Sequence, residues 1–186
     1  MKGQKWVYPI LMLSVFAVGI IVGSIYAVNM RESAAAALDE YLSDFLKNSD
    51  LQKNSIFLSS LGDNLKVFAI IFIAGFFKIG TPAVLACGVT EGFVSGFTTA
   101  AMIKLKAVNG LWISLASLPA ALIFVADLVF FGAYSMDFGI TLGKKDVFLK
   151  KSYFIFSLIA LTIFCVAALC DGYITTIFMK MLVTKM

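Results

Sequence analysis

The chain contains no histidine. That excludes Ser-His and Cys-His catalysis, histidine-ligated zinc and any haem site that needs an axial histidine. Cysteine is scarce: Cys87, Cys165 and Cys170 are the three present, each inside an apolar run. There they behave as small buried hydrophobes rather than as a disulfide framework or metal site. Charged residues make up only 14%. The net charge of +4 is spread between apolar runs, the pattern of topology signals rather than of a nucleic-acid patch. No Walker phosphate loop, nucleophile elbow or metal-ligand cluster occurs. The sequence therefore nominates no catalytic residue, no cofactor and no metal.

What is present is apolar sequence: 61% of 186 residues, with a mean hydropathy of +0.96. Ordinary soluble domains use about 45–50%. Long runs nearly free of charge recur, so the expected fold is an all-α, polytopic membrane helical bundle with about five transmembrane segments. A single integral membrane domain accounts for residues 1–186.

The centre of the chain, residues 65–103, is expected to form a short broken hairpin. Its arms are 65–79 and 83–103, broken at Gly80-Thr81-Pro82. The first arm has only 15 residues, roughly 22 Å of helix, so two short crossings or a re-entrant hairpin both fit. The second arm carries Gly88, Gly92, Gly96 and then Ala100 at every fourth position, one narrow helical face. Such a groove lets another backbone approach closely, which is how helices associate in lipid. Helix packing within the bundle is one reading of it, and a ligand or conduction path the other.

Around that hairpin, 6–28 is the first span, preceded by Lys2 and Lys5 and opened by Trp6 and Tyr8 as an interfacial belt. It is too long for a signal peptide, and the bulky 24–29 stretch lacks a cleavage site, so it is expected to remain as an anchor. Residues 29–64 form the one long polar segment, expected outside the cytoplasm, with an amphipathic helix at 33–47. Its three basic and six acidic residues argue against clinging to an anionic leaflet. It either covers the rim of its own bundle or meets a partner protein. A tight polar turn at 104–110 leads to the span 111–135, where Pro119 invites a kink. The last span is 152–174. An N-cytoplasmic chain places seven basic residues inside and eight outside, so counting alone does not orient it. The dense basic cluster at 144–151 and the acidic 29–64 segment favour the N-terminus inside.

Four ionisable side chains fall at or near membrane depth: Lys78, Glu91, Asp127 and Asp171. Each costs roughly 2.5–3.5 kcal/mol at a helix centre and should face the bundle interior or water. Lys78 and Glu91 flank the break at comparable depth and are expected to pair. Glu91, Asp127 and Asp171 read either as structural polar clamps or as an ion or proton relay.

From Asp63 onward the order of features becomes specific: DNLK (63–66), IGTP (79–82), EGFVSGFT (91–98), NG (109–110) and SLASLP (114–119). This order resembles the stage II sporulation protein M family, over roughly residues 5 to 175. The resemblance implies a five-span, non-enzymatic protein of the bacterial cell membrane, in the mother-cell or septal membrane of a sporulating host. It further implies a scaffold for two membrane-anchored cell-wall hydrolases, an amidase and a lytic transglycosylase, during septal wall remodelling and forespore engulfment. Membrane lipids are the other expected contact, and nucleic acid is not. The alternative is a permease-like transport subunit working with a separate ATPase, motivated by the acids at depth and the basic loop.

Overall fold

The computed structural model describes residues 6–47, 53–77, 79–141, 147–175 and 177. Among them there are six helices and no strand: α1 Val7–Val28, α2 Glu32–Lys47, α3 Lys53–Gly75, α4 Thr81–Ala116, α5 Leu118–Thr141 and α6 Val147–Leu169. A π-helical turn, Cys170–Thr175, continues α6. Five of these helices are long and apolar enough to cross a membrane; α2 is the exception. The all-α polytopic bundle is therefore the observed architecture.

The hairpin breaks where the Gly-Thr-Pro triplet stands. Gly80 caps α4, and Pro82 sits in its first turn, where a missing N–H costs nothing. A Cβ on Gly80 would run into the Ala74 carbonyl, so only glycine lets the chain turn this tightly against the end of α3. The arms are longer than the apolar run alone suggests. Helix α3 begins at Lys53, and Asp63 and Lys66 within it satisfy each other on the exposed face at 2.8 Å.

At 36 residues α4 is about 54 Å long if straight, well beyond a hydrocarbon core of about 30 Å. The chain solves this at one residue. Ala107 leaves the helix with φ 48° and ψ −122°, separating 81–106 from 108–116. Beyond the break the chain doubles back, so that a Cβ on Gly110 would lie 3.0 Å from the Ile103 nitrogen. The polar turn expected at 104–110 is thus a reversal within helical backbone. A second interruption at Ser117 leads into α5, whose first turn holds Pro119. Ser117 Oγ donates to the Ser114 carbonyl at 2.9 Å, occupying an acceptor near this interruption.

Two kinds of packing hold the bundle. Helices α3, α5 and α6 meet around Tyr153, which is fully buried. Its ring stacks on Phe138 at 4.0 Å and on Phe72 at 5.7 Å, with Phe76 edge-on at 5.4 Å. Its Oη donates to the Phe72 carbonyl at 3.0 Å and lies 3.4 Å from Ser135 Oγ, which in turn donates to the Ile71 carbonyl. Helices α1 and α4 instead meet backbone to backbone. Met12 joins the two groups, its Cε facing both Gly88 and Gly132. The outward faces of α1, α3 and α6 expose Ile10, Ile21, Ile25, Ile73 and Phe154, as lipid-facing surfaces do.

Candidate functional site

The glycine row of α4 faces α1. A Cβ on Gly92 would collide with the Phe16 carbonyl and lie 3.2 Å from the Gly19 Cα; one on Gly96 would lie 2.7 Å from the Ile20 Cα. Gly19 and Gly23 of α1 return the arrangement, since a Cβ on either would stand 2.9 Å from a backbone nitrogen of α4. The matches Met12 to Gly88, Phe16 to Gly92 and Ile20 to Gly96 advance together, so the two helices run parallel. Ser24 Oγ donates to the Gly96 carbonyl at 3.3 Å in the same direction. Ala100 is partly exposed, and Ala101 beside it is buried. The groove is filled by the chain's own first span.

Above this seam the α2 end of the bundle is tied by two lysines. Lys104 Nζ donates to the carbonyls of Val28 at 2.8 Å and Met30 at 3.1 Å, closing the C-terminus of α1. A cation there complements both the unpaired carbonyls and the helix dipole. Lys106 pairs with Asp39 at 2.7 Å and holds α2 against α4. That ion pair ties α2 to α4, while Tyr41 stands 66% exposed.

The acids at depth divide into two environments. Glu91 and Asp171 line a common cavity of about 180 Å³, together with Ser60, Asn64, Ser117 and Phe124. Helices α3, α4, α5 and the π-helical turn each contribute a wall. Glu91 also borders an apolar crevice on the other side, between α3 and α4, whose rim carries Asp63 and Lys66. Asp127 is elsewhere. It shares a face of α5 with Ala120 and Phe124, one turn further from the cavity, and is 6% exposed. Its Oδ2 meets no hydrogen-bonding partner among the described residues. Lys78, and with it the expected Lys78–Glu91 pair, lies outside the described residues.

Several residues that build these sites carry weak sequence signals. Gly19 and Gly23 form a G-x-x-x-G pair that was visible but lay inside a span explained by length alone. Asn64 follows the charged Asp63, with Lys66 two residues on, yet it turns inward, is 8% exposed, and its Nδ2 donates to the Phe164 carbonyl at 3.0 Å. Tyr153 follows Lys150, Lys151 and Ser152, and nothing local marks it as the hub. The π-helical turn that carries Asp171 has Gly172 pressed on Phe57, where a Cβ would lie 2.7 Å from the Phe57 Cβ. Wide turns of this kind gather at functional sites.

Chemically, the cavity offers the carboxylates of Glu91 and Asp171, the hydroxyls of Ser60 and Ser117 and the amide of Asn64. Five apolar crossings, a glycine seam and a polar cavity define the class: a polytopic integral membrane protein. Residues 12–176 match the family described as Stage II sporulation protein M, and the chain belongs to that family. It is a sporulation-related membrane family and is not known as a family of enzymes. No curated protein and no solved structure matches the chain.

Proposed function

We propose that the protein is a non-catalytic membrane scaffold that recruits and localises peptidoglycan hydrolases during septal wall remodelling and forespore engulfment. The observation that carries this reading is the family match across most of the chain. The arrangement of α2 supports it: Lys106 and Asp39 brace that helix at the membrane face, with Tyr41 turned outward. The scaffold then works from the mother-cell or septal membrane, with α2 on the extracytoplasmic side. It holds an amidase and a lytic transglycosylase whose own anchors lie in the same bilayer.

The test is localisation. Without this gene in a sporulating host, fluorescently tagged amidase and transglycosylase should disperse from the septum, and wall thinning should stall. Normal localisation of both partners would end the proposal. A second reading, a permease-like subunit coupled to a separate ATPase, draws on the cavity that joins Glu91 and Asp171. Solute flux that disappears in Glu91→Gln or Asp127→Asn membranes would favour it over the scaffold.

A further inference from the structure

We propose that the crevice between α3 and α4 docks the transmembrane helix of a partner protein that carries one basic side chain near its midpoint. The depth of this crevice follows from the seam that α4 makes with α1. Gly92 packs on Phe16 and Gly19, at the middle of α1, a span without a charged residue. Glu91, the neighbour of Gly92, therefore stands near the mid-plane of the bilayer, about 15 Å from either headgroup layer. Distance from the Gly-Thr-Pro break agrees. Asp63 and Glu91 lie roughly 18 Å and 15 Å along their helices from the facing ends, Gly75 and Thr81. Asp63, Lys66 and Glu91 line one crevice, so all three stand close to that depth.

At mid-depth the Asp63–Lys66 pair is turned outward. The two side chains are 67% and 75% exposed, with their 2.8 Å contact to each other. A lysine stem cannot carry its ammonium from here to the headgroups. Hydrocarbon against an exposed ion pair is heavily penalised, which is why ionisable side chains in spans face protein or water. The crevice beside the pair gives that protein its place. It has a volume of about 580 Å³ and opens outward along Ala83, Ala86, Thr90 and Val94 of α4, all exposed. Small residues on this wall let a second helix come close. Thr90 donates its hydroxyl proton to the Ala86 carbonyl and still offers its oxygen as an acceptor.

Charge selects the occupant. The crevice holds two carboxyl groups, Asp63 and Glu91, against the one ammonium of Lys66. Lys66 is already engaged by Asp63, and Glu91 has no ion pair among the described residues. One basic side chain on an incoming helix balances the group: it reaches Glu91, and the helix around it covers the Asp63–Lys66 pair from lipid. A second copy of this chain would bring the same surplus of acid and double the imbalance. A lipid tail would bring no charge at all. The inference rests on the scaffold reading above, to which it adds the surface that grips a membrane-anchored partner.

The probe is a synthetic Leu/Ala transmembrane helix with a single central arginine, compared with the same helix centred on leucine or on glutamate. Binding to the purified full chain in phospholipid vesicles is read by energy transfer between dyes on peptide and protein. The arginine helix should bind about tenfold more tightly than the leucine helix, the scale of a polar contact between helices in lipid, and the glutamate helix no better than leucine. Glu91→Gln should remove the preference, and Asp137→Asn, an exposed carboxylate on α5, should keep it. Equal binding of the three helices would overturn the proposal, as would a preference that survives Glu91→Gln. So would cross-linking between two copies of the chain at Val94→Cys, which would make a second copy the occupant. If Glu91→Gln fails to fold, disulfide trapping decides. In a background lacking Cys87, Cys165 and Cys170, a cysteine beside the peptide's arginine should trap at Val94→Cys and not at Ile155→Cys on the outward face of α6. Equal trapping at both would overturn the docking surface. Failure here leaves the localisation test of the scaffold standing, and hydrolases that localise normally without the gene would remove the scaffold but not a measured arginine preference.

Discussion

Ala107 holds a backbone conformation, φ 48° and ψ −122°, that side chains with a Cβ rarely adopt. Strain of this kind costs of order 1–3 kcal/mol, and glycine relieves it. Ala107→Gly should therefore raise the unfolding midpoint by a few degrees, about 1 kcal/mol, in a detergent melt. A drop would mean that the reversal is shaped by something other than this residue. The opposite sign is expected in the seam. Gly96→Val places carbon where the Ile20 backbone already stands, so it should cost at least about 3 kcal/mol and leave little folded protein by size-exclusion chromatography. Tyr153→Phe keeps the stacked ring and removes only the hydroxyl. It should cost about 1–2 kcal/mol, since the Phe72 carbonyl loses its donor from the side chain.

Among the described side chains of α2, residues 32–41, none is buried, and the tie to the bundle is an ion pair. Lys106 and Asp39 are 23% and 42% exposed as side chains, so the pair contributes no more than about 1 kcal/mol. Asp39→Asn should speed hydrogen exchange through α2 while leaving the global midpoint nearly unchanged. If exchange in α2 stays the same, packing and not the ion pair positions it.

The elements also show what a reader of the residues alone can and cannot obtain. Glycine at every fourth position announces a close-packing face, and Gly-Thr-Pro announces a break, because both effects are local to the backbone. Which helix fills the groove is a tertiary fact. Gly19 and Gly23 pointed to it, but only proximity identifies the match. Charge misdirects at the start of α3: Asp63 and Lys66 end the apolar run at Leu65, yet they sit on an exposed face, neutralise each other and leave the helix intact back to Lys53. Asp127 was legible as an acid at depth. Its separation from the cavity of Glu91 and Asp171 depends on helical phase and packing that no local pattern encodes.

At the scale of the molecule, a single crossing by α1 separates Trp6 from Tyr41 and so sets them on opposite sides of the bilayer. With the N-terminus in the cytoplasm, a cysteine replacing Tyr41 in a background lacking Cys87, Cys165 and Cys170 should react with a membrane-impermeant maleimide added to intact cells. A cysteine replacing Trp6 should react only after permeabilisation. The reverse pattern would put the basic cluster at 144–151 outside and exchange the faces assigned to partners.

The parallel pairing of α1 with α4 has a bearing on biogenesis. Ribosomes finish the first span long before its mate exists, so Gly19 and Gly23 must wait in the bilayer, bare to neighbours, while α2 and α3 are still being made. During that interval another nascent copy offers the same bare stripe. A reporter fused to residues 1–31 alone should accordingly register self-association that Gly19→Leu abolishes, whereas the full-length chain, its stripe already covered, should give little signal.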